Sequence, residues 1–321
     1  MSRRGDLRMT RVSLRKRGLT LIEVLVVVSV IAILIGIAIP AVSAARSAMR
    51  RADCANNLRQ IGLALHAYEA ASGAFPTATS GPPSSRSFLV AVLPHLEHSS
   101  LYNAINFQVR LASVWEPNRT AMTTTLDVLL CPSDGADLAG WPSATNYAGN
   151  QGSGVQKYGF NGVFRGLEAV RIRDITDGTS QTAAVSEWVI GPQSPAIRDP
   201  LRSVFRTPTS LIEPDQLDLF AAACQAVDPI EAPVTVHPKG ANWFFGEFGS
   251  CLYNHVLTPG EKSCLNQTAY QEGAWTSGSL HRAGVNLLFA DGRVLFERSN
   301  VDPMVWRALA SRNGGEVVNV P

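Results

Sequence analysis

The sequence has little of what marks several common classes of protein. It contains 5 cysteines in 321 residues, too few for a small scaffold built on disulfides. Lysine and arginine do not cluster after residue 60, although electrostatic binding of nucleic acid depends on such clusters. No Gly-x-Ser-x-Gly, His-Glu-x-x-His or phosphate-loop motif occurs. We therefore expect no nucleic-acid partner and no enzymatic activity.

Charge is also absent from Val24 to Ala45, an apolar run of 22 residues. A bilayer core of ~30 Å needs about 20 helical residues, so the run predicts a transmembrane helix. Residues 1–18 hold seven of the 28 Lys and Arg and one acid, Asp6. This basic leader is typical of a cytoplasmic end. We expect a single-pass protein of the cytoplasmic (inner) membrane with its C-terminal domain extracytoplasmic.

Glu23 lies at the entry to the apolar run, where an ionised group is costly. It is either a carboxylate that reaches interfacial water or a functional group with a partner. Gly18-Leu19-Thr20-Leu21-Ile22-Glu23 after the basic leader resembles the type IV prepilin leader and cleavage site. The resemblance implies that prepilin peptidase cuts between Gly18 and Leu19 and methylates the new N-terminus. It also implies that Glu23 pairs with the free amine of a neighbouring subunit. An uncleaved signal anchor is the alternative.

A helical stripe continues beyond the apolar run, through Leu58, Ile61, Leu65 and Tyr68. The pattern predicts one helix from about residue 20 to 71, with residues 19–45 in the membrane and 46–73 as an amphipathic half. Pro40 lacks a backbone donor and should kink this helix; pilins resemble this chain in carrying a proline there.

The rest of the chain, 74–321, reads as an exported α+β domain with short helices, long loops and an antiparallel sheet. Asp291-Gly292 between apolar runs indicates a terminal hairpin over 285–298. Taken as a two-residue turn, it pairs Leu288 with Leu295 and should lie centrally in the sheet. Helices are expected at 87–96, 99–105, 118–125 and 214–226, and extended segments at 126–130, 159–164, 170–173 and 182–188.

A second resemblance covers most of the chain. Cys54-Ala-Asn-Asn-Leu-Arg-Gln-Ile-Gly-Leu-Ala64 resembles the CxNNLKQIGLA signature of a family of prepilin-leader proteins of unknown function, typical of planctomycetes. That family is described by a C-terminal H-x(9)-D-G motif, which His281, Asp291 and Gly292 match. The resemblance implies a pilin-like fold with a long N-terminal helix and no assigned chemistry. Four further motifs occur in the family's order, at 93–97, 131–134, 146–150 and 175–180.

Three kinds of site deserve a hypothesis. His281 could act as a base with Asp291 or Glu187 as the orienting acid; the alternative is that Asp291 forms a turn and His281 braces the hairpin. Calcium is a second option, although 174–178 lacks the ligand spacing of a calcium loop, and we expect no cofactor. The oxygen ligands considered for calcium are Asp134, Asn146, Asp174 and Asp177.

The cysteines form the third hypothesis. An odd number leaves at least one thiol unpaired, and an exported domain can form disulfides. Because Cys54 and Cys131 lie within family motifs, we pair them with each other and pair Cys224 with Cys264, which leaves Cys251 free. The alternative is five small buried thiols.

Together these features favour a structural type IV pilin-like or pseudopilin subunit. Its expected partners are prepilin peptidase, the membrane, and like or related pilin subunits that contact its N-terminal helix. A membrane-tethered module that binds glycan or envelope protein through the 140–270 loops is the alternative, and an anchored hydrolase is a third.

Overall fold

The computed structural model describes residues 20–81, 85–109, 115–136, 142–155, 160–208, 210–211, 216–235, 239–267 and 269–316. The chain forms two compact units, Met1–Ala48 and Met49–Pro321. The predicted leader, with Gly18 and Leu19, lies outside the described residues.

The predicted long helix, α1, runs from Leu21 to Ser72 and has 52 residues. In the first unit its side chains are exposed, and an 18-residue window with a mean hydropathy of 3.0 has no buried residue. By length and composition this helix could cross a membrane. Pro40 lies inside α1, which continues through it. Its missing N–H leaves the Gly36 carbonyl without its usual helical donor, and the kink stays a prediction.

In the second unit, α1 carries the predicted stripe into the core. Leu58, Ile61 and Leu65 are buried, and Tyr68 packs against the same core cluster. Gly62 permits close contact with the sheet, because a Cβ there would lie 2.9 Å from a methyl carbon of Leu288. The amphipathic part of α1 is therefore a core element of the second unit.

The main sheet has five strands in the order β4-β1-β2-β7-β8, and a second sheet has the order β3-β5-β6. Most pairs are antiparallel, as predicted, but β1–β4 and β3–β5 are parallel. Both sheets are therefore mixed. The strands are β1 Tyr147–Asn150, β2 Ala183–Glu187, β3 Val204–Arg206, β4 Leu252–Tyr253, β5 Ser263–Asn266, β6 Ala269–Ala274, β7 Gly284–Phe289 and β8 Val294–Arg298.

The shorter helices match the sequence pattern in part. The helices after α1 are α2 Phe88–Val92, α3 Ser99–Ala104, α4 Trp115–Met122, α5 Leu217–Gln225 and α6 Pro303–Ala308. Within the described residues, 3₁₀ turns lie at Leu93–Leu96, Asp127–Leu129 and Ile172–Asp174. The extended segments predicted at 126–130 and 170–173 are therefore wrong, because both contain a 3₁₀ turn. The strand predicted at 159–164 is also absent from its described part, 160–164, which forms bends.

The predicted hairpin is present, but its register differs by one residue. Leu288 pairs with Val294 and Leu287 with Leu295. Phe289 N–H donates to the Arg293 carbonyl (2.8 Å) and Gly292 N–H to the Phe289 carbonyl (3.0 Å), and Gly292 has a φ of +88°. These bonds define a three-residue loop that ends in a left-handed glycine, rather than a two-residue turn. The sequence pattern predicts that the hairpin lies centrally in the sheet. This is correct for β7, which lies between β2 and β8, whereas β8 is an edge strand of the described sheet.

Candidate functional site

The start of α1 is a capping box. Thr20 precedes the helix, and its backbone N–H donates to Glu23 Oε2 at 2.8 Å. The Thr20 hydroxyl donates to the same oxygen at 2.9 Å, and Glu23 N–H donates back to Thr20 Oγ1 at 3.3 Å. A Thr-x-x-Glu pattern satisfies free N–H groups at a helix start in this way. The carboxylate expected to serve assembly is therefore also a helix cap, which the Thr20-to-Glu23 spacing could have indicated.

Two disulfides lie in the second unit, in the pairs proposed from the sequence. Cys54 of α1 is bonded to Cys131, with a Cα–Cα distance of 5.0 Å. Cys224 of α5 is bonded to Cys264 of β5, with a Cα–Cα distance of 5.8 Å. Both distances are ordinary for a disulfide. The first bond ties α1 to the segment that leads into the main sheet.

Cys251 is a free and fully buried thiol. Its Sγ lies 3.0 Å from the Phe245 carbonyl oxygen, to which it donates. Burial raises the pKa of this thiol far above its usual value. Such a thiol is inert, because the thiolate is the reactive form.

A buried cluster of chemically capable side chains surrounds the Cys54–Cys131 bond. His281 Nε2 lies 3.6 Å from Cys131 Sγ and 3.5 Å from Glu187 Oε1. The four side chains of Cys54, Cys131, Glu187 and His281 are all buried, and their ligand atoms lie within 4.8 Å of one another. The structure thus brings a helix residue, a turn residue, a β2 residue and a loop residue to one point.

Asn286 of β7 holds the Glu187 carboxylate in place. Its backbone N–H donates to Oε2 and its side-chain amide donates to Oε1, both at 2.8 Å. A buried carboxylate needs such donors. Nearby, the Tyr147 hydroxyl donates to the Cys54 carbonyl at 3.2 Å, and burial, reinforced by the charge of Glu187, raises the pKa of Tyr147 well above its ordinary value.

A second polar network lies around Asp134, a residue of the Cys131–Asp134 motif. The buried Asp134 forms an ion pair with the partly buried Arg202 and accepts the Ile190 backbone N–H at 2.8 Å. Asn146 donates to Asp134 and accepts the Cys131 backbone N–H at 2.9 Å. The network therefore connects the disulfide turn to β1 and to the loop after β2.

Lys239 is fully buried beside this network and was missed by the sequence analysis. Its Nζ donates to the Leu201 carbonyl (2.9 Å), the Thr276 carbonyl (3.3 Å) and Ser263 Oγ (3.4 Å). Burial lowers the pKa of Lys239 to about 7, although the charge of Asp134 opposes the shift. A single lysine among loops carries no sequence signal of burial, because lysine is rarely buried.

The residues considered for calcium do not form one ligand set among the described residues. Asp134 and Asn146 bond to each other. Asp174 accepts the Arg171 backbone N–H at 3.0 Å, and Asp177 accepts the N–H groups of two glycines at 2.7 and 2.9 Å. These carboxylates hold turns together.

Of the two acids considered as partners of His281 in the catalytic hypothesis, one contacts it and the other does not. His281 lies beside Glu187, as one version required. Asp291 instead forms an ion pair with Arg293 at 2.7 Å, and its backbone N–H donates to the Thr179 carbonyl at 3.1 Å. Asp291 is therefore a turn residue that joins the hairpin to the 175–180 motif. This agrees with the alternative to catalysis, in which Asp291 forms a turn.

Among the cavities of the described residues, two are large, and neither is lined by a residue of the cysteine cluster. The first has a volume of about 560 Å³, lies beside α5 and β3, and is mostly apolar. The second has about 510 Å³ and is lined mainly by charged groups, including Arg165, Asp174 and Arg312. Burial lowers the pKa of Arg312, whose guanidinium donates to the Phe160 and Gly162 carbonyls.

Comparison with known families gives two matches. The model of a prokaryotic N-terminal methylation motif matches residues 13–39, which include Gly18, Leu19 and Glu23. The model of a family described as a protein of unknown function (DUF1559) matches residues 43–304. No curated protein and no solved structure matches the chain. The chain therefore carries a prepilin-type N-terminus, the type that prepilin peptidase processes, and it belongs to the DUF1559 family.

Proposed function

We propose that this chain is a structural pilin-like or pseudopilin subunit that assembles through α1. The observation that carries the proposal is the methylation motif at 13–39, which leads into a helix whose apolar side chains are exposed among the described residues of the first unit. In the second unit the same helix is a core element. A helix of this kind suits storage in a membrane followed by packing against the helices of other subunits.

Assembly through Glu23 has a physical reason. After a cut at Gly18, the free amine of Leu19 lies one residue before Thr20. A carboxylate at membrane depth is costly when alone, and an opposite charge from a neighbouring subunit offsets that cost. Glu23 is exposed in the single chain, so its carboxylate is available to such an amine.

The N-terminus of the mature protein tests the processing step. We expect N-terminal sequencing of the protein recovered from membranes to begin at Leu19, with a methylated amine. Gly18→Trp should leave the leader attached, because a bulky side chain blocks the peptidase, whereas Gly18→Ala serves as the small-residue control. A wild-type protein that keeps residues 1–18 would contradict the proposal.

Photo-crosslinking tests assembly itself. A photoreactive residue in place of Ile31, an exposed position of α1, should give a ladder of covalent oligomers in membranes. The same residue in place of Leu280, an exposed position of the second unit, is the matched control for random collision. Equal yields from the two positions, or monomers alone, would rule out helix-to-helix assembly.

The cavity beside α5 favours a second candidate function, a membrane-tethered binding module. Its mostly apolar lining, together with Arg206, Asp228, Glu231 and Gln267, fits the general character of a small-ligand site. The cavity lies within the 140–270 region considered for glycan or envelope protein. A tethered module would bind its ligand as a monomer, so the Ile31 experiment separates the two candidates.

We assign no reaction to the chain. The reason is that Glu187 is held by Asn286 and His281 is buried against a disulfide, so neither group faces an open cleft. We expect His281→Ala to leave assembly and membrane insertion unchanged in the photo-crosslinking assay. Loss of a measurable hydrolytic activity in this variant, with the fold intact, would overturn the assignment.

A further inference from the structure

The buried cysteine cluster combines four ligands, of three chemical types, that suit one metal ion. Among the described residues, Cys54, Cys131, Glu187 and His281 form the group in which a metal could be held by at least three such side chains. Thiolate, imidazole and carboxylate are the ligands that zinc takes in tetrahedral protein sites. The four come from α1, the 131–134 turn, β2 and the loop before β7.

The spacing of these atoms fits tetrahedral coordination. Zinc bonds of about 2.0–2.3 Å at the tetrahedral angle separate neighbouring ligand atoms by about 3.3–3.8 Å. His281 Nε2 lies 3.5 Å from Glu187 Oε1 and 3.6 Å from Cys131 Sγ. Two of the six edges of a tetrahedron therefore have the required length, and the other ligand atoms lie within 4.8 Å of one another. Metal binding requires that the two sulfurs separate and that the other distances shorten or lengthen to about the same value.

The surrounding residues hold the ligands independently of the disulfide. Asn286 fixes both oxygens of Glu187, and Asn146 accepts the backbone N–H of Cys131. Asn57 of α1 donates to the Leu130 carbonyl at 2.9 Å, next to Cys131 in sequence. Such outer contacts orient metal ligands, and they do not depend on the S–S bond.

We propose that this cluster binds one zinc-like divalent cation when the Cys54–Cys131 disulfide is reduced. A dithiol reductant supplies two electrons and two protons, becomes a disulfide itself and leaves two protein thiols. The cation then binds both sulfurs with His281 Nε2 and Glu187, and the two thiol protons go to solvent. The disulfide and the metal ion are thus alternative cross-links between α1 and the 131–134 turn.

In both redox states α1 would be linked to the 131–134 turn. In an oxidising compartment the disulfide joins α1 to the 131–134 turn. Under reducing conditions a bound cation would join these two segments and also β2 and the loop before β7. The position of α1 on the sheet is then retained whether or not the disulfide is formed.

Alkylation of the unmodified full-length chain tests the proposal directly. The protein in detergent micelles is reduced with a water-soluble phosphine, which takes up oxygen from water and does not compete strongly for zinc. Alkylation of each cysteine is then followed by peptide mass spectrometry, with and without Zn²⁺. We expect zinc to slow alkylation of Cys54 and Cys131 by about tenfold or more, while Cys224 and Cys264 serve as the internal control.

Cobalt binding identifies the ligands. In the C224S/C264S background, the reduced chain should take up one Co²⁺ with the visible absorption of tetrahedral thiolate coordination, and the oxidised chain should not. His281→Ala and Asn286→Ala should weaken Co²⁺ binding by about 10–100-fold, provided that each oxidised variant unfolds at the midpoint of its parent.

Two results would overturn the proposal. One is a reduced chain that takes up no more Co²⁺ than the C54S/C131S variant does. The other is equal protection of both cysteine pairs by Zn²⁺, which would indicate general thiol binding rather than a site. If a variant fails to fold, the alkylation result on the unmodified chain decides the question by itself.

Discussion

At the residue scale, Glu23 is the side chain with two possible partners. Within the chain it closes the capping box with Thr20. In an assembly it would meet the amine of another subunit, which needs its negative charge. Glutamine can replace glutamate in a capping box, so the two contacts can be separated by one substitution.

We expect Glu23→Gln to keep the helix start and the cut after Gly18 but to lose the oligomer ladder from Ile31. Gln offers the same acceptor to Thr20 N–H and no charge to an amine. Glu23→Ala removes both contacts and is the comparison. The measurement is photo-crosslinking yield together with N-terminal sequencing, and a full ladder from Glu23→Gln would exclude charge pairing as the basis of assembly.

Lys239 gives a second prediction at this scale, in the dependence of stability on pH. Its pKa is about 7 in the folded chain and about 10.4 when unfolded. Between these values the unfolded state binds more protons, so this group makes the free energy of unfolding rise with pH. The contribution begins near pH 7 and grows toward pH 10.

Denaturant unfolding of wild type and Lys239→Met at pH 7.0 and 8.5 measures this contribution. The gain in unfolding free energy over that interval should be larger for wild type, since methionine does not titrate. Cys251 and the buried tyrosines have raised pKa values that act in the opposite direction, but both proteins contain them, so their contribution cancels in the comparison. Equal pH slopes for the two proteins would show that Lys239 titrates normally.

At the scale of elements, the β7–β8 hairpin depends on Gly292. Its φ of +88° is left-handed. A Cβ there would lie 3.4 Å from the His66 ring, an ordinary van der Waals distance, so the cost of a substitution comes from backbone strain rather than from a clash. We expect Gly292→Ala to lower the free energy of unfolding by about 1–2 kcal/mol. Gly292→Asn should lose less, because asparagine tolerates this conformation; the reverse order, measured by denaturant unfolding, would contradict the turn assignment.

The elements that the sequence predicts well are those with a long or unambiguous pattern. The stripe at Leu58, Ile61 and Leu65 repeats over many turns, and α1 ends within a residue of its predicted bounds. Segments of three to five residues, such as Asp127–Leu129, carry too few residues to distinguish a 3₁₀ turn from an extended strand. Asp-Gly predicts a hairpin but not the loop length, which the left-handed Gly292 determines.

The candidate site was predictable in its members but not in its arrangement. Cys54, Cys131 and His281 each lie in a recognisable motif. Glu187 lies at the end of a buried strand and has no local signal for its contact with His281, 94 residues away. Proximity of this kind depends on strand order, which places β2 beside β7, and no short-range pattern encodes that order.

At the scale of the whole molecule, the basic leader and the apolar helix predict on which side of the membrane the second unit lies. We expect protease added outside intact spheroplasts to degrade residues 49–321. The same protease should leave the apolar part of α1 protected until detergent is added. A cytoplasmic protein in the same cells is the control for leakage. Full protection of the second unit before lysis would place it in the cytoplasm and contradict the orientation.

The Cys54–Cys131 bond also has a mechanical consequence. If a filament transmits pulling force through α1 of each subunit, tension on the helix reaches the sheet through this covalent link. The 77-residue separation between the two cysteines would otherwise be able to extend by about 250–280 Å when drawn out. When the disulfide is formed, the chain between the two cysteines cannot extend in this way. The force then passes directly from α1 to the 131–134 turn, and the subunit lengthens little under load.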